Sequence, residues 1–302
     1  MADIALYMTD ASCPMPEYDG YLLPKFAPLL PSADTQMTSI REFESRDNDI
    51  LICSYPKTGS NWVYEIVSML LQGHSAYIKN FKAVGMLEGL ELGSLADCVS
   101  PRVLSSHVPF RHLPEQHLTK GCKIVHVLRN PKDTMVSSYN HCKNDPRASH
   151  TSEDFPGTWD NFLKDQMENK HNIYDGFFKY EKEWETAKRT KAVTSVHTLF
   201  YEDLHKDPVR EITRLARYLE VAADKGLVQD VADKCSFQKL QNAAVTIKTG
   251  GAKIVVNGNN LLFRKGMVGD WKHWFTVKQN EQFNELVDRE LKGSTLNFTY
   301  EQ

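Results

Sequence analysis

The sequence predicts an α/β fold, a single domain in which a central, mainly parallel sheet is flanked by helices. Two observations predict this fold class. Several short, nearly continuous apolar runs lack the alternation of a half-exposed strand, as expected for strands that are buried on both faces. Sequences with helical spacing of their apolar residues follow these runs, and strands that alternate with helices form parallel sheets.

The predicted strands and helices follow one another along the chain. The first strand precedes SNWVYEIVSMLLQ at 60–72, whose apolar residues have helical spacing. Pro131 follows the third strand and suits a first helical turn, and Asp207-Pro208 opens a helix after the fourth strand. The four predicted strands are DILICSY (49–55), RVLSSH (102–107), KIVHVLR (123–129) and KAVTSVHTLFYED (191–203).

Residues 1–35 are rich in Pro, Asp and Ser and are predicted to form an extended, partly mobile N-terminal arm that packs on the surface of the domain 36–302. Three further stretches, 73–101, 143–158 and 244–266, are rich in Gly, Asn or Ser and resist a regular assignment. Long loops in a compact domain usually carry function or move, so these three stretches are candidates for binding loops.

Charge and composition argue against several classes of protein. The net charge is −3, which gives no general reason to expect a nucleic acid or an acidic membrane as partner. No apolar run reaches the roughly 18 residues of a membrane span, and the first residues lack the basic start and apolar centre of a secretory signal. The six cysteines are scattered without a C-x-x-C pair, so we expect a cytoplasmic protein with no metal site and no disulfide framework.

The segment SYPKTGSNW at 54–62 holds a lysine, a glycine and two hydroxyls between a predicted strand and a predicted helix. Backbone N–H groups at the start of a helix attract anions, and Lys57 adds a full positive charge, so the segment predicts a phosphate-binding loop. The common triphosphatase pattern G-x-x-x-x-G-K-[ST] is absent because Lys57 precedes Gly59. The loop is therefore only P-loop-like, and Lys57 alone would fit a surface turn equally well.

Each predicted strand is followed by, or ends near, a side chain suited to binding or catalysis. These four side chains are Lys57, His107, Arg129 and Tyr201. Ligands of parallel sheets bind beyond the carboxyl ends of the strands. We therefore expect the four side chains to meet at one edge of the sheet.

Three segments, SYPKTGSNW, RNPKDTMVSSY and RKGMVGDW, together resemble the cytosolic sulfotransferase family. The segments PGTWDNFL, FYEDL and KHWFTVKQNE extend the similarity over nearly the whole chain, in the right order. Members of this family transfer a sulfuryl group from 3′-phosphoadenosine 5′-phosphosulfate (PAPS) to a hydroxyl or amine of a small molecule, without a metal, and release PAP. The resemblance implies that activity for this chain, with a phenol, a steroid or another alcohol as acceptor.

The resemblance also implies which residues bind the cofactor. The loop would cradle the 5′-phosphosulfate, and aromatic rings would enclose the adenine. Arg129, Ser137 and the segment 264–266 would hold the 3′-phosphate, since the forked guanidinium of an arginine suits phosphate. Trp62 could instead be a core residue on the apolar face of its helix. From the residues alone, Ser137 fits a helix surface better than a binding site. The implied residues are Lys57, Thr58, Gly59, Ser60, Asn61, Trp62, Arg129, Ser137, Tyr201, Phe237, Arg264, Lys265 and Gly266.

His107 is the candidate base, and Lys57 is the second catalytic candidate. Sulfuryl transfer requires the acceptor hydroxyl to lose its proton as it attacks sulfur, and a histidine can take that proton near neutral pH. His107 matches the segment K-[TS]-H-x-P of the family, whereas a structural histidine is the alternative. The family usually has lysine two residues before this histidine, where this chain has Ser105, so the consequence for rate and acceptor preference stays open.

The acceptor pocket is expected from the loops and from the N-terminal arm. Apolar and aromatic linings fit flat alcohols but do not choose among them. The candidate wall residues are Tyr21, Phe26, Phe81, Phe110, Phe155 and Leu262.

The segment KHWFTVKQNE resembles the short dimer motif of the family, K-x-x-x-T-V-x-x-x-E. Lys272, Thr276, Val277 and Glu281 match its specified positions and imply a homodimer. Residues alone would also fit the start of a helix with Thr276 as its cap.

Three other functions are alternatives to sulfuryl transfer. A nucleotide or small-molecule kinase is disfavoured because neither G-K-[ST] nor a strand-end aspartate for Mg²⁺ is found. A non-catalytic PAP-binding relative is disfavoured by the presence of both Lys57 and His107, although Ser105 leaves room for it. A dehydratase that first sulfates its alcohol and then eliminates the sulfate is compatible with the sequence.

Overall fold

Four parallel strands form the centre of the molecule, in the spatial order β4-β3-β5-β6. The structure is a computed structural model, and it describes residues 14–78, 85–144, 157–170, 172–246, 255–256, 259–260 and 263–302. The four strands are β3 (Ile50–Ser54), β4 (Val103–Ser106), β5 (Lys123–Leu128) and β6 (Val196–Phe200). The predicted α/β class with a parallel central sheet is thus confirmed.

Two short antiparallel pairs lie outside this sheet, β1 (Glu17–Tyr18) with β2 (Tyr21–Leu22) and β7 (Val255–Val256) with β8 (Asn259–Asn260). The described helices are α1 (Ala33–Arg41), α2 (Ser60–Gln72), α3 (Glu115–Thr119), α4 (Pro131–Asn144), α5 (Trp159–Met167), α6 (Phe177–Arg189), α7 (Tyr201–Lys206), α8 (Pro208–Leu219), α9 (Lys225–Lys234), α10 (Phe237–Thr246) and α11 (Val277–Glu290).

Both faces of the sheet are covered, which explains why the central strand β3 is buried along its whole length without alternation. Along β3, Leu51 and Cys53 belong to one apolar core, whereas Ile50 and Ile52 belong to the other. The first core also receives side chains from α1, α4, α5, α6 and α11, and the second from α2, α8, α9 and α10. The longest described helices have 14 residues, and no helix of the described ranges could cross a bilayer.

The fourth strand is shorter than predicted at both ends. The sequence predicts a strand over 191–203, but β6 spans Val196–Phe200 because α7 begins immediately afterwards at Tyr201. An apolar run alone does not distinguish the end of a strand from the first turn of a helix.

The described part of the N-terminal arm contributes side chains to the core. Tyr21, Leu23 and Leu29 are fully buried, and Phe26 nearly so. The predicted boundary at residue 35 falls inside α1, whose N-cap is Ser32. Residues 1–13 lie outside the described part of the chain.

Glu65 is a buried carboxyl on α2, within the second core. Burial raises its pKa from 4.5 to about 7, although the backbone of Ile78 lowers the pKa in part. A raised pKa means that the folded state holds the proton more tightly than the unfolded state. The free energy of unfolding should therefore fall as the pH rises from about 4.5 to about 7, by about 3 kcal/mol for this group.

We expect Glu65→Gln to remove this pH dependence, because the amide is neutral throughout. Relative to the original protein, the variant should therefore gain about 3 kcal/mol in free energy of unfolding when the pH rises from 4.5 to 8, because only the original protein loses that amount. Urea unfolding at both pH values measures this difference. Glu285→Gln, at an exposed position of α11, is the control and should change little; an identical pH slope in all three proteins would contradict the prediction.

Candidate active site

The loop between β3 and α2 has the geometry of an anion cradle. Lys57 and Gly59 both have positive φ, 70° and 111°, and α2 begins directly afterwards at Ser60. The Thr58 hydroxyl donates to the carbonyl oxygen of Tyr55 at 2.8 Å, so this hydroxyl braces the loop from within. The backbone N–H groups at the start of α2 are therefore what the loop offers to an anion.

Tyr201 packs directly on this loop, which explains the glycine at position 59. A Cβ at Gly59 would lie 2.8 Å from Cδ2 of Tyr201, closer than such atoms approach. Trp62 meets the same tyrosine edge to face, with 5.3 Å between the ring centroids. The Nε1 atom of Trp62 is buried and has no hydrogen-bond partner among the described residues. Two of the three predicted adenine-pocket rings are thus together.

Arg129 joins three segments at the carboxyl edge of the sheet. It follows β5 directly and is 8% exposed. Its guanidinium donates to the carbonyl oxygens of Lys57 at 3.4 Å and Met267 at 3.2 Å. The same group lies 4.2 Å from the centroid of the Tyr201 ring. Of the four predicted strand-end residues, these contacts bring three together.

The segment 264–266, whose next residue Met267 accepts from Arg129, packs against Phe237. Gly266 has φ 62°, and a Cβ there would lie 1.9 Å from Cδ2 of Phe237. Only a glycine allows the backbone to pass this close to the ring. Arg264 and Lys265 both donate to the carboxylate of Asp270, Lys265 at 2.7 Å. Ser137 lies half-buried on α4.

Two buried aspartates hold these segments in place, and sequence reasoning named neither. Asp133, at the start of α4, accepts hydrogen bonds from the backbone N–H of Gly269 at 2.8 Å and of Trp271 at 2.9 Å. Burial raises the pKa of the Asp270 carboxyl, but the hydrogen bonds from Lys265 and Arg264 outweigh it, so the pKa lies below its usual value. Both aspartates occur inside the quoted segments RNPKDTMVSSY and RKGMVGDW, which is the signal that could have found them.

His107 follows β4 and is tied to the end of β3. Its Nδ1 atom lies 2.6 Å from the carbonyl oxygen of Ser54. A carbonyl oxygen can only accept, so Nδ1 carries the hydrogen, and in a neutral ring Nε2 is then the nitrogen that can accept one. The backbone N–H of His107 donates to Oε1 of Glu88 at 2.7 Å. Because Ser54 immediately precedes the phosphate-like loop, the histidine and the loop share one edge of the sheet.

The family model described as the sulfotransferase domain matches residues 47–295. The chain belongs to the sulfotransferase family. Human (Homo sapiens) sulfotransferase 1C2 is 31% identical over 286 residues, which cover 90% of this chain and 93% of the relative. Sulfotransferase 1A1 from Mus musculus is 32% identical over 287 residues, covering 91% and 95%. The resemblance of the three sequence segments is thereby confirmed, and this sulfotransferase is an enzyme.

Solved structures show the same fold. Mouse sulfotransferase SULT7A1, complexed with PAP, has a TM-score of 0.74 at 27% identity, covering 93% of this sulfotransferase and 96% of that chain. Retinol dehydratase, in a complex with retinol and PAP, has a TM-score of 0.75 at 20% identity, covering 93% and 90%. The second likeness concerns the fold alone.

Ser105 occupies a buried position in this sulfotransferase. It pairs with Ile52 across the sheet and has no exposed surface. Its hydroxyl oxygen has no hydrogen-bond partner in the part of the chain that the structure describes. The position where the family usually has lysine thus carries a short, uncharged side chain within the sheet.

The predicted acceptor-pocket residues are only partly described. Tyr21 and Phe26 are buried in the core, and Phe110 lies edge to face with Trp184, with 5.1 Å between the ring centroids. Phe81, Phe155 and Leu262 lie outside the described residues. The Tyr174 ring lies beside His107, at a centroid distance of 5.7 Å. Sequence reasoning did not name Tyr174, and no motif in the sequence marked it.

Proposed function

We propose that this sulfotransferase transfers the sulfuryl group of PAPS to the hydroxyl, or amine, of a small molecule such as a phenol, a steroid or another alcohol. One observation carries the proposal. His107 is hydrogen-bonded at Nδ1 to Ser54, the last residue of β3 before the anion-binding loop, at 2.6 Å. A base whose second nitrogen can accept a proton therefore lies beside the loop that would hold the phosphosulfate.

The residues fit PAPS at three points. The loop from Lys57 to Asn61 would take the 5′-phosphosulfate on its N–H groups and on the lysine charge. Arg129, Arg264 and Lys265, with Ser137 and the Gly266 backbone, would hold the 3′-phosphate. The close approaches that Gly59 and Gly266 permit support this assignment, since they bring Tyr201 and Phe237 to the two phosphate segments. Adenine would lie among Trp62, Tyr201 and Phe237.

The reaction needs one proton transfer and one exchange of bonds. His107 accepts the proton of the acceptor hydroxyl at Nε2 as the acceptor oxygen forms a bond to sulfur in line with the leaving group. The bond between sulfur and the 5′-phosphate oxygen breaks, and PAP departs with that electron pair. Lys57 neutralises the charge that develops on the leaving oxygen. The products are the sulfated acceptor, PAP and a proton.

An acceptor panel tests the proposal. The purified protein is incubated with PAPS and with phenols, steroids, aliphatic alcohols and amines in turn. PAP release is quantified, and the masses of the products are measured by mass spectrometry. We expect PAP release that depends on the acceptor, with a product heavier by one sulfuryl group. A dehydrated product would instead support the dehydratase alternative. PAP binding without any turnover would support a non-catalytic relative.

We also propose a homodimer formed through the segment 272–281. Thr276 caps α11, and its hydroxyl accepts from the backbone N–H of Gln279 at 3.2 Å. The next residue, Val277, is 77% exposed. Lys272 pairs with Glu301 at 2.9 Å, while Glu281 is exposed on the first turns of α11. An exposed valine beside charged groups suits a small symmetric contact.

Val277→Glu should convert the proposed dimer to a monomer. Two copies of the variant would bring like charges into the contact, and the cost exceeds what a small interface supplies. Sedimentation equilibrium over a range of concentrations measures the dissociation constant, which we expect to rise by about 100-fold or more. Val99→Glu, at a valine that is 87% exposed elsewhere, is the matched control and should leave the association unchanged. A monomeric parent protein would rule out the dimer.

The cytoplasmic location stays a prediction.

A further inference from the structure

Three successive residues, Tyr174, Asp175 and Gly176, have positive φ, of 52°, 72° and 77°. Residues other than glycine rarely adopt this conformation, and such residues persist only where their surroundings hold them. The turn precedes α6 and lies close to His107. Because this backbone conformation is unfavourable and lies next to the predicted base, we ask which side chain it positions against His107.

Contacts from two other segments hold this turn. The Asp175 carboxylate pairs with Arg111 at 2.9 Å, and Arg111 also pairs with Glu183 of α6 at 2.6 Å. The backbone N–H of Tyr174 donates to the carbonyl oxygen of Leu22, at the end of β2, at 3.0 Å. The turn therefore keeps its conformation through groups that are distant in the sequence.

The conformation places the Tyr174 side chain against the histidine. The two rings have a centroid distance of 5.7 Å and an interplanar angle of 58°. Tyr174 is 2% exposed, and its hydroxyl donates to Oε1 of Glu88 at 3.2 Å. The same oxygen accepts the backbone N–H of His107 at 2.7 Å. One buried carboxylate oxygen thus joins the tyrosine to the histidine.

We propose that Glu88 and Tyr174 are positioning residues for His107; this inference rests on the proposed function. The Ser54 carbonyl fixes Nδ1, the Glu88 carboxylate fixes the backbone from which the ring projects, and the Tyr174 ring limits its rotation. Three restraints of this kind leave Nε2 in one place. A displacement of a base by about 1 Å costs on the order of 100-fold in rate, so these restraints act on kcat.

Paired variants test the proposal in the full-length protein. Glu88→Ala removes both hydrogen bonds and should lower kcat by about 10- to 100-fold, while the KM for PAPS changes less than about twofold. Glu88→Gln retains an accepting oxygen and should recover kcat to within about threefold of the parent protein. Tyr174→Phe loses one hydrogen bond but keeps the ring, and we expect a loss of about 3- to 10-fold.

Tyr64→Phe is the matched control. Tyr64 is likewise buried, and its hydroxyl donates to the carbonyl oxygen of Val103 at 3.0 Å, at the amino end of β4. We expect no change in kcat from this variant. An equal loss from Tyr64→Phe and Tyr174→Phe would show a general effect on stability and would overturn the proposal.

A second measurement does not depend on turnover. In protein labelled with ¹⁵N-histidine, the ring signals of His107 are identified by their loss in His107→Gln. We expect the parent protein to show the hydrogen on Nδ1, and Glu88→Ala to show a mixture of both tautomers or exchange broadening. If Glu88→Ala does not fold, Tyr174→Phe is compared with the parent by the same ring signals and should shift them.

Failure of this inference and failure of the proposed function give different results. Parent protein that releases PAP, with unchanged kcat and unchanged His107 ring signals in Glu88→Ala and Tyr174→Phe, would overturn the positioning role and leave the function standing. Parent protein without PAP release, but with ring signals that change in these variants, would retain the restraints on His107 and refute the transfer reaction.

Discussion

His107→Gln is expected to lower kcat by on the order of 10²–10⁴-fold, the range typical of a lost general base. Glutamine has a similar length, and its amide can still donate to the Ser54 carbonyl that Nδ1 contacts at 2.6 Å. It offers no basic nitrogen for the acceptor's proton. Initial rates of PAP formation at saturating PAPS and acceptor measure the effect.

The affinity for PAP should remain within about twofold in this variant, because His107 is assigned to the proton of the acceptor and to neither phosphate. His197→Gln is the control. His197 lies near the amino end of β6, stacked on Tyr218 at a centroid distance of 5.2 Å. If the kcat of His107→Gln lies within about threefold of that of His197→Gln, His107 is not the general base.

Gly266→Ala should weaken PAP binding by about 10- to 100-fold. The new Cβ would lie 1.9 Å from the Phe237 ring, so the ring or the 264–266 backbone must shift. The φ of 62° adds about 1 kcal/mol or more for a residue with a side chain. Since both segments are assigned to the cofactor, either shift disturbs the site. Calorimetric titration with PAP measures the dissociation constant.

Gly73→Ala separates the backbone effect from the clash. Gly73 ends α2 with φ 69°, and a Cβ there would meet nothing within 4 Å. This variant should lose about 1 kcal/mol of stability and keep its PAP affinity. In a Phe237→Ala background the ring is gone, so Gly266→Ala should then cost less than it does alone. Equal costs in both backgrounds would show that contact with Phe237 does not transmit the effect.

The sequence by itself determined those features of the candidate site that follow from local sequence and from the order of strands and helices along the chain. The sequence predicts the loop at 54–62 and a helix that starts at Ser60, as observed, because a buried apolar run and a helical period are local properties. The parallel sheet then required Lys57, Arg129 and Tyr201 to lie at one edge, and their contacts agree. Fold class and family followed from these segments.

Only the tertiary structure decided the contacts between distant segments. Asp133 contacts Gly269 and Trp271, which are 136 and 138 residues away along the chain, and Glu88 contacts both His107 and Tyr174. Such pairs depend on how loops and helices pack, and no local period or spacing encodes them. The burial of the arm at Tyr21 and Phe26 has the same origin. A proline-rich, irregular segment carries no amphipathic period, so only packing against the other elements reveals that it belongs to the core.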